Sequence, residues 1–543
     1  VSTSTASLRA LGAVSGLVAA TAGVLAAHGV AALLTGVTPP VTAVGNRAID
    51  WTPQPVKEWA IETFGAADKT VLVGGVLVTV ALLTGAAGAG GVRRRGPALA
   101  LMTGLVALAS AAMLTDRTST AGPAAQAGTA AVLAVVGIGG LWWLLRALGA
   151  DAPARQPGGR ARDHALTPRR RTPRTRVLVG EDLAGREITS DVDRRRFLQA
   201  AGALAAVGAA GGAAARMGGG AAVASRDALR LPAPAVPARA VPGGVSFDIP
   251  GLTPHLTPNA DFYRVDTALT VPDVPLDGYR LRIHGLVDNP LELTFQDLLD
   301  RRLVERRITL TCVSNPVGGD LVDNASWLGV PMRELLAEAG VREGADAVRS
   351  TSADGFTAGT PLEALTDDRE ALVAIGMNGE PLPLEHGFPV RMVTPGLYGY
   401  VSATKWLVDL EVTRFADFSA YWTSRGYAEQ APIKLSSRID VPGSFEQLGA
   451  GQQTVAGVAW AQPHGIDAVE VRVDGGDWQQ AELAEEDSEV TWRPWRWDWP
   501  AEPGTHRLEV RASDRTGETQ TSQRAPVAPD GSTGWHSVTV TVS

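Results

Sequence analysis

The hydrophobic pattern of the chain changes three times along its length. Over the first 150 residues, long apolar runs alternate with short polar stretches. Four runs carry no charge, at Ala10–Val37, Thr70–Val92, Gly96–Thr115 and Thr118–Leu145. A helix needs roughly 20 apolar residues to cross a bilayer, and each run reaches that length. Residues 1–150 therefore predict a four-helix membrane region. A fifth uncharged run, Phe197–Ala215, is mostly Ala and Gly and predicts a weaker span within residues 194–226. Between them, residues 151–193 read as a basic cytoplasmic linker. Residues 227–245 (L-P-A-P-A-V-P-A-R-A-V-P-G-G) read as an extended Pro/Ala-rich linker.

From residue 246 the periods become short. Tyr279–Gly285 alternates as a strand does, and Thr294 is suited to cap a helix over Thr294–Asp300. Arg307–Thr311 predicts a strand, Pro331–Ala339 a helix and Val390–Thr394 a second strand. Residues 246–430 are thus expected to form an irregular α+β domain. Over 431–543 the expected strands are Val455–Trp460, Ala468–Val473, Thr491–Trp497, His506–Ala512 and Trp535–Val542. Turns such as Asp474-Gly475-Gly476 and Pro503-Gly504 separate them, which predicts an all-β immunoglobulin-like sandwich. Trp492, Trp495, Trp497 and Trp499 are expected in its core and interfaces.

Charge sharpens the division. Residues 1–226 hold 23 Lys and Arg against 12 Asp and Glu, a net of +11, and the remainder holds 26 against 45, a net of −19. So acidic a soluble part argues against nucleic acid as a partner. Thirteen arginines lie within 146–196 and three more at 93–95, whereas the loop 38–69 balances three basic against four acidic residues. Placing the arginines in the cytoplasm predicts a multi-pass protein of the cell membrane, with everything after about Met217 outside the cytoplasm. The run Asp193-Arg194-Arg195-Arg196-Phe197-Leu198-Gln199 resembles a twin-arginine export motif, with Asp193 where Ser or Thr is usual. That route carries folded, cofactor-loaded domains, and Ala213-Ala214-Ala215 offers a cleavage site. Only His28 lies within the apolar runs, one ligand where a b-type haem needs two. No haem is expected, and anchoring is the role assigned to the bundle.

The chain has one cysteine, Cys312, in T-L-T-C-V-S-N-P-V-G-G-D. It is a buried small residue, a reactive thiol or a metal ligand. The flanking blocks resemble the sulfite oxidase family of molybdenum enzymes. They are T-P-N-A-D-F-Y-R, L-T-C-V-S-N with W-L-G-V-P, S-A-D-G-F, M-N-G-E-P-L-P-L-E-H-G-F-P-V-R and P-G-L-Y-G-Y-V-S-A-T-K-W, in family order. The C-terminal V-A-G-V-A-W and I-D-A-V-E-V-R-V-D-G-G resemble the family's dimerisation domain, so the likeness covers nearly all of 246–543.

The resemblance implies a molybdenum–molybdopterin cofactor with Cys312 as the protein's metal ligand, because molybdenum takes soft sulfur donors. It implies pterin-binding roles for His386, Arg391 and Lys405, with Ser402 and Thr404 as supporting donors in a loop one residue longer than in the animal enzymes. Asn259, Tyr263 and Arg264 align with a segment that lines pterin and metal, and Arg264 is expected to be catalytic with Cys312. Arg391, isolated in a strand, is expected to have a charged partner. Ile375 stands where sulfite oxidases place an active-site Tyr, and Val317 where the animal enzymes have Arg. Both departures argue against a small dianion as substrate. The expected activity is oxygen-atom or two-electron transfer on a small sulfur compound or sulfoxide, with a separate electron carrier and a homodimer through the C-terminal domain. The alternative is a non-catalytic, membrane-tethered interaction protein that retains the fold.

Overall fold

The computed structural model describes residues 5–149 apart from 35, 117, 120 and most of 54–67, then 175–181, 187–192, 194–218 and 220–543. It separates into two compact units, one of residues up to Gly220 with 268–270, the other of 221–267 with 271–543.

The first unit contains helices Thr5–Leu33, Asp68–Gly91, Arg95–Leu114, Pro123–Ala147 and Arg194–Gly218. Among the described residues, five helices are long and apolar enough to cross a membrane, so the chain is a multi-pass membrane protein. Each predicted span is recovered to within a few residues. Lipid supplies no hydrophobic drive between such helices, so close backbone approach at small residues holds them together. Thr5–Leu33 is the hub. A Cβ on Gly12 or Gly16 would strike the backbone at Gly88 or Thr84, one on Gly23 that of Gly137, and one on Gly29 that of Gly211. One helix thus uses successive glycines to meet three neighbours.

In this unit one helix and one strand pair were not legible in the pattern. Pro40–Trp51, read as loop, is a helix whose Asn46 donates to buried Asp116 at 3.0 Å. Within the basic linker, Thr175–Glu181 pairs antiparallel with Glu187–Val192. The rest of that linker, and Asp193 of the arginine motif, lie outside the described residues.

The second unit opens with a short helix, Ala221–Ala228. The Pro/Ala-rich stretch that follows is extended, as its composition predicts, but it is no free linker. Ala235 N–H donates to Leu303 O at 2.8 Å, and Leu229 and Leu231 pack on the domain core. Prolines remove donors from this segment, and the N–H groups of Ala235, Val236 and Ala238 pair with the domain edge at Leu303 and Glu305.

The α+β domain predicted over 246–430 is built around two sheets. The first orders Glu380–Pro381, Leu372–Met377, Val322–Pro331 and Val304–Thr311, with Arg391–Val393 also on Leu372–Met377. The second orders Leu291–Leu293, Leu281–Gly285, Leu407–Thr413, Ala347–Ser352 and Thr357–Pro361. One core joins the sheets through Ile283, Val348 and Leu410 on one side and Val330, Val373 and Ile375 on the other. A second core covers the opposite face of the first sheet, around Ile308, Ala325 and Trp327. Val322–Pro331 is buried at every position, because both its faces are covered. That is why no alternation marks it. Thr294 caps Phe295–Leu299 with a reciprocal bond to Asp297, as its position predicts.

Residues 436–542 form four- and five-stranded sheets that share one core, with Val455, Trp495 and Trp499 from the first meeting Val471, Val510 and Val540 from the second. The five strands expected here are all present, with ends shifted by up to four residues from the pattern. Trp492, Trp495 and Trp499 are buried and Trp497 packs at the core edge.

Candidate active site

Cys312 sits where strand Val304–Thr311 ends. Its N–H donates to Leu321 O at 2.9 Å, its carbonyl accepts Asn315 N–H at 3.1 Å, and the Asn315 side chain accepts Leu321 N–H at 3.0 Å. These bonds close the 312–321 loop and fix the thiol's direction. The C-terminal domain supports the loop from below: Arg438 donates to Gly319 O at 2.7 Å and Ser532 to Asn315 O at 2.7 Å. His536 lies so close to Gly318, at φ 80°, that no side chain fits there.

The thiol is buried, and burial raises its pKa. Ser314 N–H at 3.4 Å from Sγ and the Lys405 charge act in the opposite direction. It lines a pocket with Tyr263, Asp266, Asp354, Arg391, Tyr400, Lys405, Trp422 and Tyr427 among others, enclosing about 860 Å³ of space open to solvent.

Arg391, on strand Arg391–Val393, is buried and lies over the Trp327 ring at 4.9 Å. The charged partner expected for it does not appear among the described residues. Its guanidinium donates instead to carbonyls, His386 O at 3.0 Å, Met392 O at 3.3 Å and Ala403 O at 3.4 Å. Burial lowers its pKa to about 10. Lys405 is also buried in the pocket wall, and burial lowers its pKa to about 8. It donates to Asp266 at 3.1 Å and to Glu385 O at 3.0 Å. A Cβ on Gly387, at φ 109°, would lie 3.1 Å from both Arg391 and Lys405, and only glycine suits that position.

The remaining expected residues do not line the pocket. Asn259 is held by Glu380 at 2.6 Å and Asn378 at 2.8 Å, and its carbonyl meets His386 Nε2 at 3.0 Å. Burial and the nearby cations depress His386 to about 3, and its buried Nδ1 has no partner among the described residues. Arg264 is partly exposed and pairs with Asp266 at 2.9 Å. Ser402 donates to Leu397 O and Tyr398 O, and Thr404 shares a hydroxyl bond with Ser350. Those two hydroxyls are spent on the fold of the loop and do not line the pocket. Asp323 anchors the segment before Arg264, accepting Tyr263 N–H at 2.6 Å and Thr257 Oγ1 at 3.0 Å.

Neither Ile375 nor Val317 lines the pocket. Ile375 is fully buried in the core between the sheets, so its apolar character answers to packing there. The residues that sequence reasoning missed are Asp266, Asp354, Phe356, Tyr400, Trp422 and Tyr427, all in the pocket lining. One signal was available: four of the chain's six tyrosines fall within 398–427.

Among the described residues no cluster of three His, Cys, Asp or Glu is placed to hold a bare metal ion. A metal on Cys312 therefore needs further donors from a cofactor. The pocket has what an anionic, sulfur-donating cofactor requires: one buried thiol and two cations, Arg391 and Lys405, in its lining.

A family model of the oxidoreductase molybdopterin-binding domain matches residues 268–422. Mitochondrial sulfite oxidase of Homo sapiens is 30% identical over 343 residues, covering 53% of this chain and 62% of its own length. Sulfite oxidase of Gallus gallus is 30% identical over 334 residues, covering 52% of this chain and 72% of that protein. The uncharacterized oxidoreductase YuiH of Bacillus subtilis is 34% identical over 177 residues, 32% of this chain and 86% of that one. The chain thus spans less than two thirds of the human relative.

Proposed function

This chain belongs to the sulfite oxidase family of molybdopterin oxidoreductases, and from that premise we propose that it is an exported, membrane-anchored enzyme transferring an oxygen atom or two electrons at a small sulfur-containing substrate. The observation that carries the reading is the convergence of Cys312, Arg391 and Lys405 on one pocket. When bound, the molybdenum–molybdopterin group supplies the two-electron redox centre. The chain supplies the rest. Cys312 would hold the metal as a thiolate, the form that burial alone disfavours. Arg391 and Lys405 neutralise the phosphate-bearing tail, with Arg391 fixed in direction by its three carbonyl partners. His386, with Nε2 committed to Asn259 O, has its second nitrogen free to meet the pterin. Asn259, Tyr263 and Arg264 shape the rim of that site, and Asp266 ties Arg264 to Lys405.

In this reading the arginine-rich 146–196 stretch stays in the cytoplasm and the soluble unit lies outside it. Residues 194–226 serve as a twin-arginine-type signal and anchor. Residues 246–430 form the catalytic domain. The two-sheet domain over 431–543 is of immunoglobulin type and pairs two copies, and electrons pass to or from a separate carrier. A redox-dye assay of the purified full chain tests the activity, offering sulfite as donor and sulfoxides as acceptors. Dye-coupled turnover of one class, absent in Cys312→Ser, is the expected result. A molybdenum-loaded protein that turns over neither class would overturn it.

A further inference from the structure

We infer that the aromatic residues lining the pocket, Phe356, Tyr400, Trp422 and Tyr427, select an organic sulfur compound with an apolar arm over a free inorganic anion. The inference rests on the functional reading above and names the substrate class for that same site. Its first support is the arrangement of the rings. Tyr400 and Tyr427 lie with centroids 5.6 Å apart, and Trp422 and Tyr427 5.2 Å apart. Tyr421 extends the set, 5.2 Å from Trp422 and 5.8 Å from Phe356. All but Tyr421 line the pocket that holds Cys312.

The rings are fixed in advance of any ligand. Tyr400 Oη donates to Ala428 O at 2.7 Å, and Tyr427 N–H donates to Trp422 O at 3.2 Å, closing the turn that carries two of them. The Arg425 guanidinium lies 3.7 Å from the Tyr421 ring centroid and braces the same turn. Rings held this way present apolar area and polarisable faces, which suit methyl, aryl and thioether groups. Their faces offer little to a hydrated dianion.

Charge points the same way. The pocket lining holds two cations, Arg391 and Lys405, and two carboxylates, Asp266 and Asp354. These sum to zero, and Asp266 is already engaged with Lys405 at 3.1 Å. An anionic cofactor and a Cys312 thiolate would leave the loaded lining net negative. A doubly charged substrate is disfavoured there, whereas a neutral sulfoxide or thioether is not.

The test uses the full-length, cofactor-loaded protein in detergent. Steady-state kinetics compare sulfite with dimethyl sulfoxide and methyl p-tolyl sulfoxide, and with the corresponding thioethers. Calorimetry follows the binding of methyl p-tolyl sulfoxide directly. The expected result is a KM that falls as the arm grows, and a rise of about tenfold for the aryl compound in Tyr427→Ala at unchanged kcat and molybdenum content. Tyr427→Phe is expected to retain the wild-type KM. Trp422→Leu provides a second variant should Tyr427→Ala fold poorly, with the same rise expected. Preferential turnover of sulfite, or aryl-sulfoxide binding unchanged in both ring variants, would overturn the inference while leaving a molybdenum enzyme. A wild-type protein without molybdenum would overturn the functional reading and this inference together.

Discussion

The two kinds of residue lining the pocket were assembled by different rules. Cys312, Arg391 and Lys405 are buried polar groups, and each is held by backbone: a closed loop for the thiol, three carbonyls for Arg391, one carbonyl and Asp266 for Lys405. Phe356, Tyr400, Trp422 and Tyr427 are held mainly by one another and by a single turn. The lesson is that the first set is costly to keep without its ligand, because buried charge lacks water. The second set is ordinary packing, free to change with the substrate. On this view the polar groups serve cofactor binding and the rings serve specificity, and variants should separate the two.

The largest effect after loss of the thiol is expected at Arg391. In Arg391→Leu the carbonyls of His386, Met392 and Ala403 lose their donor. A destabilisation of about 3 kcal/mol is expected by denaturant melting, and cofactor retention about 100-fold weaker. If Arg391→Leu keeps full cofactor occupancy, the division of roles fails. The ring variants come next, with KM altered and molybdenum retained.

Lys405 gives a pH signature. Its folded pKa of about 8 lies below the ordinary 10.5, so the folded state binds fewer protons than the unfolded state between those values. Stability of the cofactor-free protein should therefore rise as pH increases from about 8 to 10.5, and this slope should vanish in Lys405→Met. Retention of an anionic cofactor should fall over the same rise in pH as the ammonium charge is lost. A pH-independent difference between wild type and variant would show that Lys405 is not a buried cation. The smallest effect is expected at Ser402→Ala, about 1 kcal/mol of stability with cofactor occupancy unchanged, since that hydroxyl is bonded to Leu397 O and Tyr398 O. A loss of cofactor there would return Ser402 to the binding set.

Much of this was legible because it was local. Apolar length gave the five spans, alternation gave the C-terminal strands, and contiguous blocks led to Cys312, Arg391 and Lys405. The failures are non-local. Val322–Pro331 hides its strand character because both faces are covered. The Pro/Ala-rich segment looked free because its partners, near Leu303, are distant in sequence. Ile375 looked informative about substrate from its place beside the M-N-G block, yet its side chain belongs to the core between the sheets. Ser402 and Thr404 have the right chemistry for donors, but their partners within the fold had to be seen. The ring set joins Phe356 to residues of 400–427, and no single motif contains it.

Molybdenum analysis of the purified full-length protein, from a host that makes the cofactor, tests the central claim most directly. The account predicts about one molybdenum per wild-type chain and none in a folded Cys312→Ser protein. A wild-type protein that folds and binds no molybdenum, or a Cys312→Ser protein that keeps it, would contradict the account.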